Sequence, residues 1–155
     1  MTVKLKLEDS IMSLNFQKYA QEGQSFVNDL AAELGHPEEV ARTGIVLRAV
    51  LHTLRERITI SESFHLLSQL PMFLKAIYVD KWKFSEKPLD IKTKEEFVAE
   101  VERHQQQYGE MEFSWSKSTE DIIQIVLSSL GQYVSEGEYG DIVAQLPEKI
   151  KELFR

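Results

Sequence analysis

The tripeptide Gln-Leu-Pro occurs twice, at residues 69–71 and again at 145–147, 76 positions apart. Sliding the chain by that offset also aligns Val50 with Val126, Leu51 with Leu127, Leu54 with Leu130, Glu62 with Glu138 and Lys75 with Lys151. Apolar character is kept at Val46/Ile122, Leu47/Ile123, Leu66/Ile142, Leu67/Val143, Leu74/Ile150 and Ile77/Leu153. Upstream the register changes, since Phe26-Val27 aligns with Phe97-Val98 at an offset of 71, so about five extra residues fall within "QQQYGEMEFSWSKS". Matches at helical spacing over some 60 residues point to two diverged copies of one helical unit. The expected organisation is an N-terminal segment (1–14), a first repeat (15–82), a linker (83–92) and a second repeat (93–155).

Each unit reads as helices. Phe16, Tyr19, Ala20, Phe26, Val27, Leu30 and Leu34 recur at intervals of three and four and predict one apolar stripe. Gly35-His36-Pro37 closes that helix and opens the next, with Pro37 expected in the first turn. The second helix carries Val40, Leu47, Val50, Leu51, Leu54 and Ile58 on one side. Thr59-x-x-Glu62, Thr93-x-x-Glu96 and Ser135-x-x-Glu138 have the form of capping boxes. Proline disfavours a helical residue before it, so the helix after each box must end near the leucine of Gln-Leu-Pro. The tripeptide is therefore a corner, with the leucine turned inward and the glutamine amide serving bare backbone groups. "DIIQIVLSSLGQYV" is apolar on more than one side and predicts a covered helix. Val3, Leu5 and Leu7 alternate, as do Met111, Phe113 and Trp115, which allows one small strand pair. The expected fold class is all-α, two related bundles of about four helices packed as one pseudo-symmetric domain.

The segments "VLRAVLHTLRERITISESFHLLSQLPMFLKAIYVDKW" and "GEYGDIVAQLPEKIKELF" carry an Arg-Ala-Val-Leu core, a Leu-Arg-x-Arg helix end and the Gln-Leu-Pro corner, with Tyr78 and Trp82 after the first corner. From about Phe16 to Phe154 the chain resembles the bacterial Domain of Unknown Function 2267 family. It departs from that pattern at Lys75-Ala76, where Arg-Gly is expected, and in the N-terminal "MTVKLKL". The resemblance implies an all-helical, internally repeated chain and carries over no catalytic residue.

The net charge of −7 disfavours non-specific nucleic-acid binding, which needs clustered Lys and Arg. With no cysteine, disulfides, thiolate nucleophiles and Cys-ligated metals are excluded. No apolar run approaches the roughly 18 residues of a membrane span, and the first residues lack a signal-peptide core, so a cytoplasmic protein without membrane association is expected. His52 and Glu56 are four apart on one helix, with His65 or His104 as further donors. Nothing fixes a third ligand, so no metal and no cofactor are expected.

Charge differs between the halves. Residues 1–82 hold 9 basic and 10 acidic side chains, against 9 and 15 in residues 83–155. Arg48, His52 and Arg55 form one stripe, replaced by Gln124, Ser128 and Gly131 in the second half. Such a stripe suits a carboxylate or phosphate; alternatively the arginines pair with the acidic half or stay solvated. Tyr78 and Trp82 sit one turn apart, either as partner anchors or as the rim of a core. No catalytic set is readable. The leading expectation is a non-enzymatic helical interaction or adaptor module with a protein partner. The alternative is a small-anion sensor or cryptic enzyme, with Arg48, Arg55, Tyr78 and Trp82 lining a pocket between the repeats. An outward patch without a deep cavity favours the first, and a cavity holding the arginine heads favours the second.

Overall fold

The computed structural model describes residues 14–83, 87–109 and 115–155. Among these, seven α-helices account for the architecture and no strand occurs. The first half comprises α1 (Phe16–Glu33), α2 (Val40–Arg57), α3 (Ile60–Gln69) and α4 (Met72–Val79). The second comprises α5 (Lys94–Gln107), α6 (Thr119–Ser129), a 3-10 turn (Leu130–Gln132), α7 (Glu136–Ala144) and a closing 3-10 turn (Lys151–Phe154). The alternating Val3, Leu5, Leu7, Met111 and Phe113 lie outside the described residues. Trp115, the last member of that pattern, stacks on His36 at 4.5 Å and donates its indole N–H to Glu39 at 2.5 Å.

Local chemistry sets the helix boundaries. Asn15 accepts from the Lys18 amide at 3.0 Å and opens α1. At the other end Gly35 adopts φ +87, and the amides of Gly35 and His36 bond back to Ala32 and Ala31, the paired closure that a left-handed residue permits. Pro37 does not enter α2 as expected. It sits inside a turn in which the Glu39 amide bonds to the His36 carbonyl, and the helix begins only at Val40. The Thr59, Thr93 and Ser135 hydroxyls each accept from the amide three residues on, at 3.2, 3.1 and 3.1 Å, as their sequence spacing requires.

The apolar stripe of α1 is only half used. Phe26, Leu30, Ala31 and Leu34 are buried, whereas Phe16 is 72% exposed. Gly23 lets α4 approach closely, because a Cβ there would meet the Phe73 side chain at 3.2 Å. On α6, Ile122, Ile123, Val126 and Leu127 are buried, in keeping with its all-round apolar sequence. Yet the most enclosed helix is α2, which meets α1, α4, α5 and α6 and buries every residue from Ala49 to Arg55. Three of those seven, His52, Thr53 and Arg55, are polar. Thr53 returns its hydroxyl to the Ala49 carbonyl at 2.8 Å, while the other two reach across to neighbouring elements.

The Gln-Leu-Pro corners turn the chain as expected: Leu70 and Leu146 are 3% and 4% exposed. Their glutamines, however, do not serve their own corners. Gln69 Oε1 accepts from the Ser135 amide at 2.7 Å, and Gln145 Oε1 faces the Thr59 amide and hydroxyl at 3.5 and 3.4 Å. In a self-contained capping box, the glutamate at the third helical position would take that amide. Here each half supplies the missing acceptor to the other. The displaced glutamates, Glu62 and Glu138, are thereby turned toward one another between α3 and α7. Sharing a hydrogen-bonded position with Glu62, together with burial, pushes the Glu138 carboxyl up to about 7.

Candidate functional site

The helix pair with the most extensive contact is α2 against α5. At the end of that contact, residues 80–83 and 87–91 lie against α2. The Leu89 amide bonds to the Glu56 carbonyl at 2.7 Å, and Arg57 Nε donates to the Ile91 carbonyl at 2.7 Å. The described end of the expected linker, residues 87–92, is thus pinned to α2, and Ile91 is buried. Between α2, α5 and these segments lies a cleft of about 470 Å3, whose lining includes Arg55, Glu56, Trp82, Arg103, His104 and Tyr108.

A chain of four side chains runs from the core to the cleft. His52, 1% exposed, places Nε2 at 2.7 Å from the Ile77 carbonyl and Nδ1 at 2.5 Å from the Tyr108 hydroxyl. A carbonyl can only accept, so Nε2 bears the proton. Burial first of all, and then the nearby cations, lower the His52 pKa to about 4, which leaves the ring neutral and Nδ1 an acceptor. Tyr108 therefore donates to His52, and its oxygen faces His104 Nδ1 at 3.2 Å. His104 is 4% exposed, and its Nε2 lies 3.0 Å from the Glu56 carboxylate. The Arg103 guanidinium also approaches His104 Nε2, at 3.5 Å. Glu100 stands behind at 3.6 Å and is held below the usual carboxylate range by its hydrogen bond to Arg103. Burial also raises the Tyr108 phenol above its ordinary value.

The arginines expected to project as a stripe instead finish α4. Arg55, 7% exposed, donates from one terminal nitrogen to the Tyr78 and Asp80 carbonyls at 2.5 and 2.8 Å, and its guanidinium lies 5.8 Å from the centre of the Trp82 ring. Arg48 pairs with Asp80 at 3.0 Å and sits 5.7 Å from the centre of the Tyr108 ring. Both partners belong to the first half, so pairing with the acidic second half is not what these groups do. The cause is the open C-terminus of α4, whose carbonyls attract cations. Tyr78 is fully buried with its hydroxyl 2.7 Å from Ser63 Oγ, which removes it from any contact surface. Trp82 remains at the cleft rim. Of the five residues singled out, Arg55 and Trp82 line the cleft, Arg48 and His52 support it through Tyr108, and Tyr78 is core.

Sequence reasoning missed Arg103 and Tyr108 and weighed His104 only as a metal donor. A signal was present: Glu100, His104 and Tyr108 recur every four residues and so share one face of α5. The ligand atoms of Glu56, Glu100 and His104 lie within 4.8 Å of one another, a spacing that suits a cation. Arg103 already supplies positive charge there, and neither carboxylate has a buried oxygen without a partner. The same cleft is rimmed by Lys81, Lys83 and Lys87. Lys81 takes a left-handed backbone, φ 55, a conformation that costs a non-glycine residue about 1 kcal/mol.

Among the described residues no helix is long and apolar enough to cross a membrane. No curated protein matches the chain. A family model described as "Uncharacterized conserved protein (DUF2267)" matches residues 23–153, and the chain belongs to that family.

Proposed function

We propose that this chain is a ligand-binding helical module that takes a small anion, carboxylate- or phosphate-bearing, in the cleft between α2, α5 and residues 81–83 and 87–89. The reading rests on charge placement. In a chain of net charge −7, Arg55, Arg103, Lys81, Lys83 and Lys87 line one cleft in which, among the described residues, Glu56 is the one carboxylate. Arg55 Nε is buried without a hydrogen-bond partner, so this wall still has donor capacity. The half-buried Trp82 adds an apolar face beside the cations, the mixed lining expected of a small-molecule site. The assignment is to binding rather than turnover: the His52–Tyr108–His104–Glu56 chain orients the wall, and among the described residues no serine or threonine lines the cleft.

Titration with inorganic phosphate and with citrate, followed by amide NMR, tests this. Saturable shifts around Tyr108, His104 and Trp82 are expected. Arg103→Ala should weaken binding about 10- to 100-fold, the loss of one charge-assisted hydrogen bond. Lys149→Ala, on the far helical corner, should leave it unchanged. Shifts scattered over surface lysines, or equal affinity in the Arg103 variant, would discard the reading.

A second reading, the interaction module, is favoured by one separate observation. An apolar groove of about 650 Å3 runs between α1 and α4, and it contains Phe16, Tyr19, Met72, Phe73 and Val79. Leu14 and Phe16 are 67% and 72% exposed there, which fits a protein partner presenting an apolar helix face.

A further inference from the structure

The junction of α3 and α7 holds a second cluster, none of whose side chains lines the cleft. Glu62 and His65 stand one turn apart on α3, a Glu-x-x-His spacing that turns both toward one side. Glu138 and Asp141 occupy the same two positions on α7, 76 residues later. The ligand atoms of Glu62, His65 and Glu138 all lie within 4.8 Å of one another. Glu62 is the anchor: its side chain is 7% exposed, and its Oε2 accepts from Gln145 Nε2 at 2.8 Å.

Two oxygens at this junction are unaccounted for. Glu62 Oε1 and Glu138 Oε1 are both buried and take no hydrogen bond from any other described residue, so apart from a proton shared between the two carboxyls nothing satisfies them. Buried carboxylate oxygens are costly unless something positive or a donor sits between them. The first turns of α3 and α7 favour ionised carboxylates, while two of them facing each other at close range repel. A dication satisfies both demands. The other three-donor groups among the described residues lack this signature. In the group His36, Glu38 and Glu39, Glu39 is already bonded to Arg42 and Trp115, and His36 is stacked on the indole. In the Glu56 group neither carboxylate has a buried oxygen without a partner.

We infer that Glu62, His65 and Glu138 form a binding site for one divalent transition-metal ion of the zinc type, which bridges the two halves at α3 and α7. Nitrogen and carboxylate oxygen donors at this count suit zinc, manganese or cobalt better than calcium, which takes six to eight oxygens. His65 is 61% exposed, which leaves an entry path and room for water in the open coordination positions. Asp141 stands where His65 does on the opposing helix, and its charge reaches Glu138. Gln145, holding Glu62 Oε2, fixes the orientation of the first ligand, as an outer-shell partner does. A bound ion would tie α3 to α7 and so add to the stability of the two-half assembly.

The test is titration of the full chain with Zn2+ and with Co2+ by calorimetry and, for cobalt, visible absorption. One equivalent is expected, with a rise in melting temperature on loading. Glu138→Gln keeps size and can hydrogen-bond Glu62; it should lower affinity by more than the ~10- to 100-fold typical of outer-shell changes. His65→Ala, at an exposed position, should do the same without altering the helical signal. His104→Ala should leave the affinity unchanged. Absence of stoichiometric binding would overturn the inference. So would binding that survives both the Glu138 and His65 variants, or that is lost only with His104.

Discussion

Lowering the pH from 7 to 5 should destabilise this protein through His52 in particular. The ring is buried, bonded at Nε2 to the Ile77 carbonyl, and lowered to about 4 from an ordinary 6.5. Between those two values the unfolded chain binds a proton that the folded chain refuses, so stability falls as pH falls and is recovered above the unfolded value. Using 6.5 and 4, the linkage relation gives a loss of about 2 kcal/mol between pH 7 and pH 5, approaching about 3 kcal/mol below pH 4. Glu138 contributes with the opposite sign, since its raised carboxyl favours the folded state at acid pH and loses that advantage as pH rises through about 7. A difference between proteins removes that term. Urea unfolding at pH 7 and pH 5 should be measured for the wild type and for His52→Gln, whose amide keeps a donor for Ile77 and does not titrate. The gap between the two proteins should change by about 2 kcal/mol across the pH step, in favour of the variant at pH 5. A gap that stays constant, or a His52 imidazole that titrates near 6.5 in the folded protein by NMR, would refute the argument.

Other perturbations test other joints. Gln69→Ala removes the acceptor of the Ser135 amide and should cost about 1 kcal/mol in thermal or urea unfolding, the usual price of a lost cap. Tyr78→Phe leaves Ser63 without its buried partner and should cost about 1–2 kcal/mol, while leaving binding of phosphate or citrate untouched. Gly35→Ala forces a side chain into φ +87 and should lower stability by about 1–2 kcal/mol. Phe16→Ser, at a 72% exposed position, should change stability by no more than about 0.5 kcal/mol, and a larger loss would mean that the groove beside α4 is covered.

Much of the fold was legible because helices in this chain are announced by residues three or four apart. The Thr59, Thr93 and Ser135 caps, the Gly35 stop and the inward Leu70 and Leu146 are each short-range consequences of side-chain chemistry. Where the reading failed, a longer-range contact had overridden it. Phe16 and Ala20 continue the α1 stripe perfectly well, yet both are exposed. Arg48 and Arg55 share a face as predicted. The face is turned toward the end of α4, whose carbonyls hold them more firmly than solvent would.

The candidate site was far less legible. His52, Arg55 and Trp82 could be picked out because they break the match between halves. Their assembly into a cleft depends on His104 and Tyr108, some fifty residues downstream on α5, and on a linker folded back onto Glu56. The sequence by itself determined the all-helical class, the three caps, the corners and the two glutamates placed alike in each half, because every one of these follows from local spacing and backbone geometry; it expected about four helices per half, and the second half has three with two 3-10 turns. Tertiary structure alone decided that Gln69 and Gln145 would cap the opposite half, that Glu62 and Glu138 would meet, and that His52 would be buried and neutral. These outcomes turn on which helix faces are brought together, and burial converts ordinary polar side chains into costly ones that must be satisfied by whatever lies across the contact.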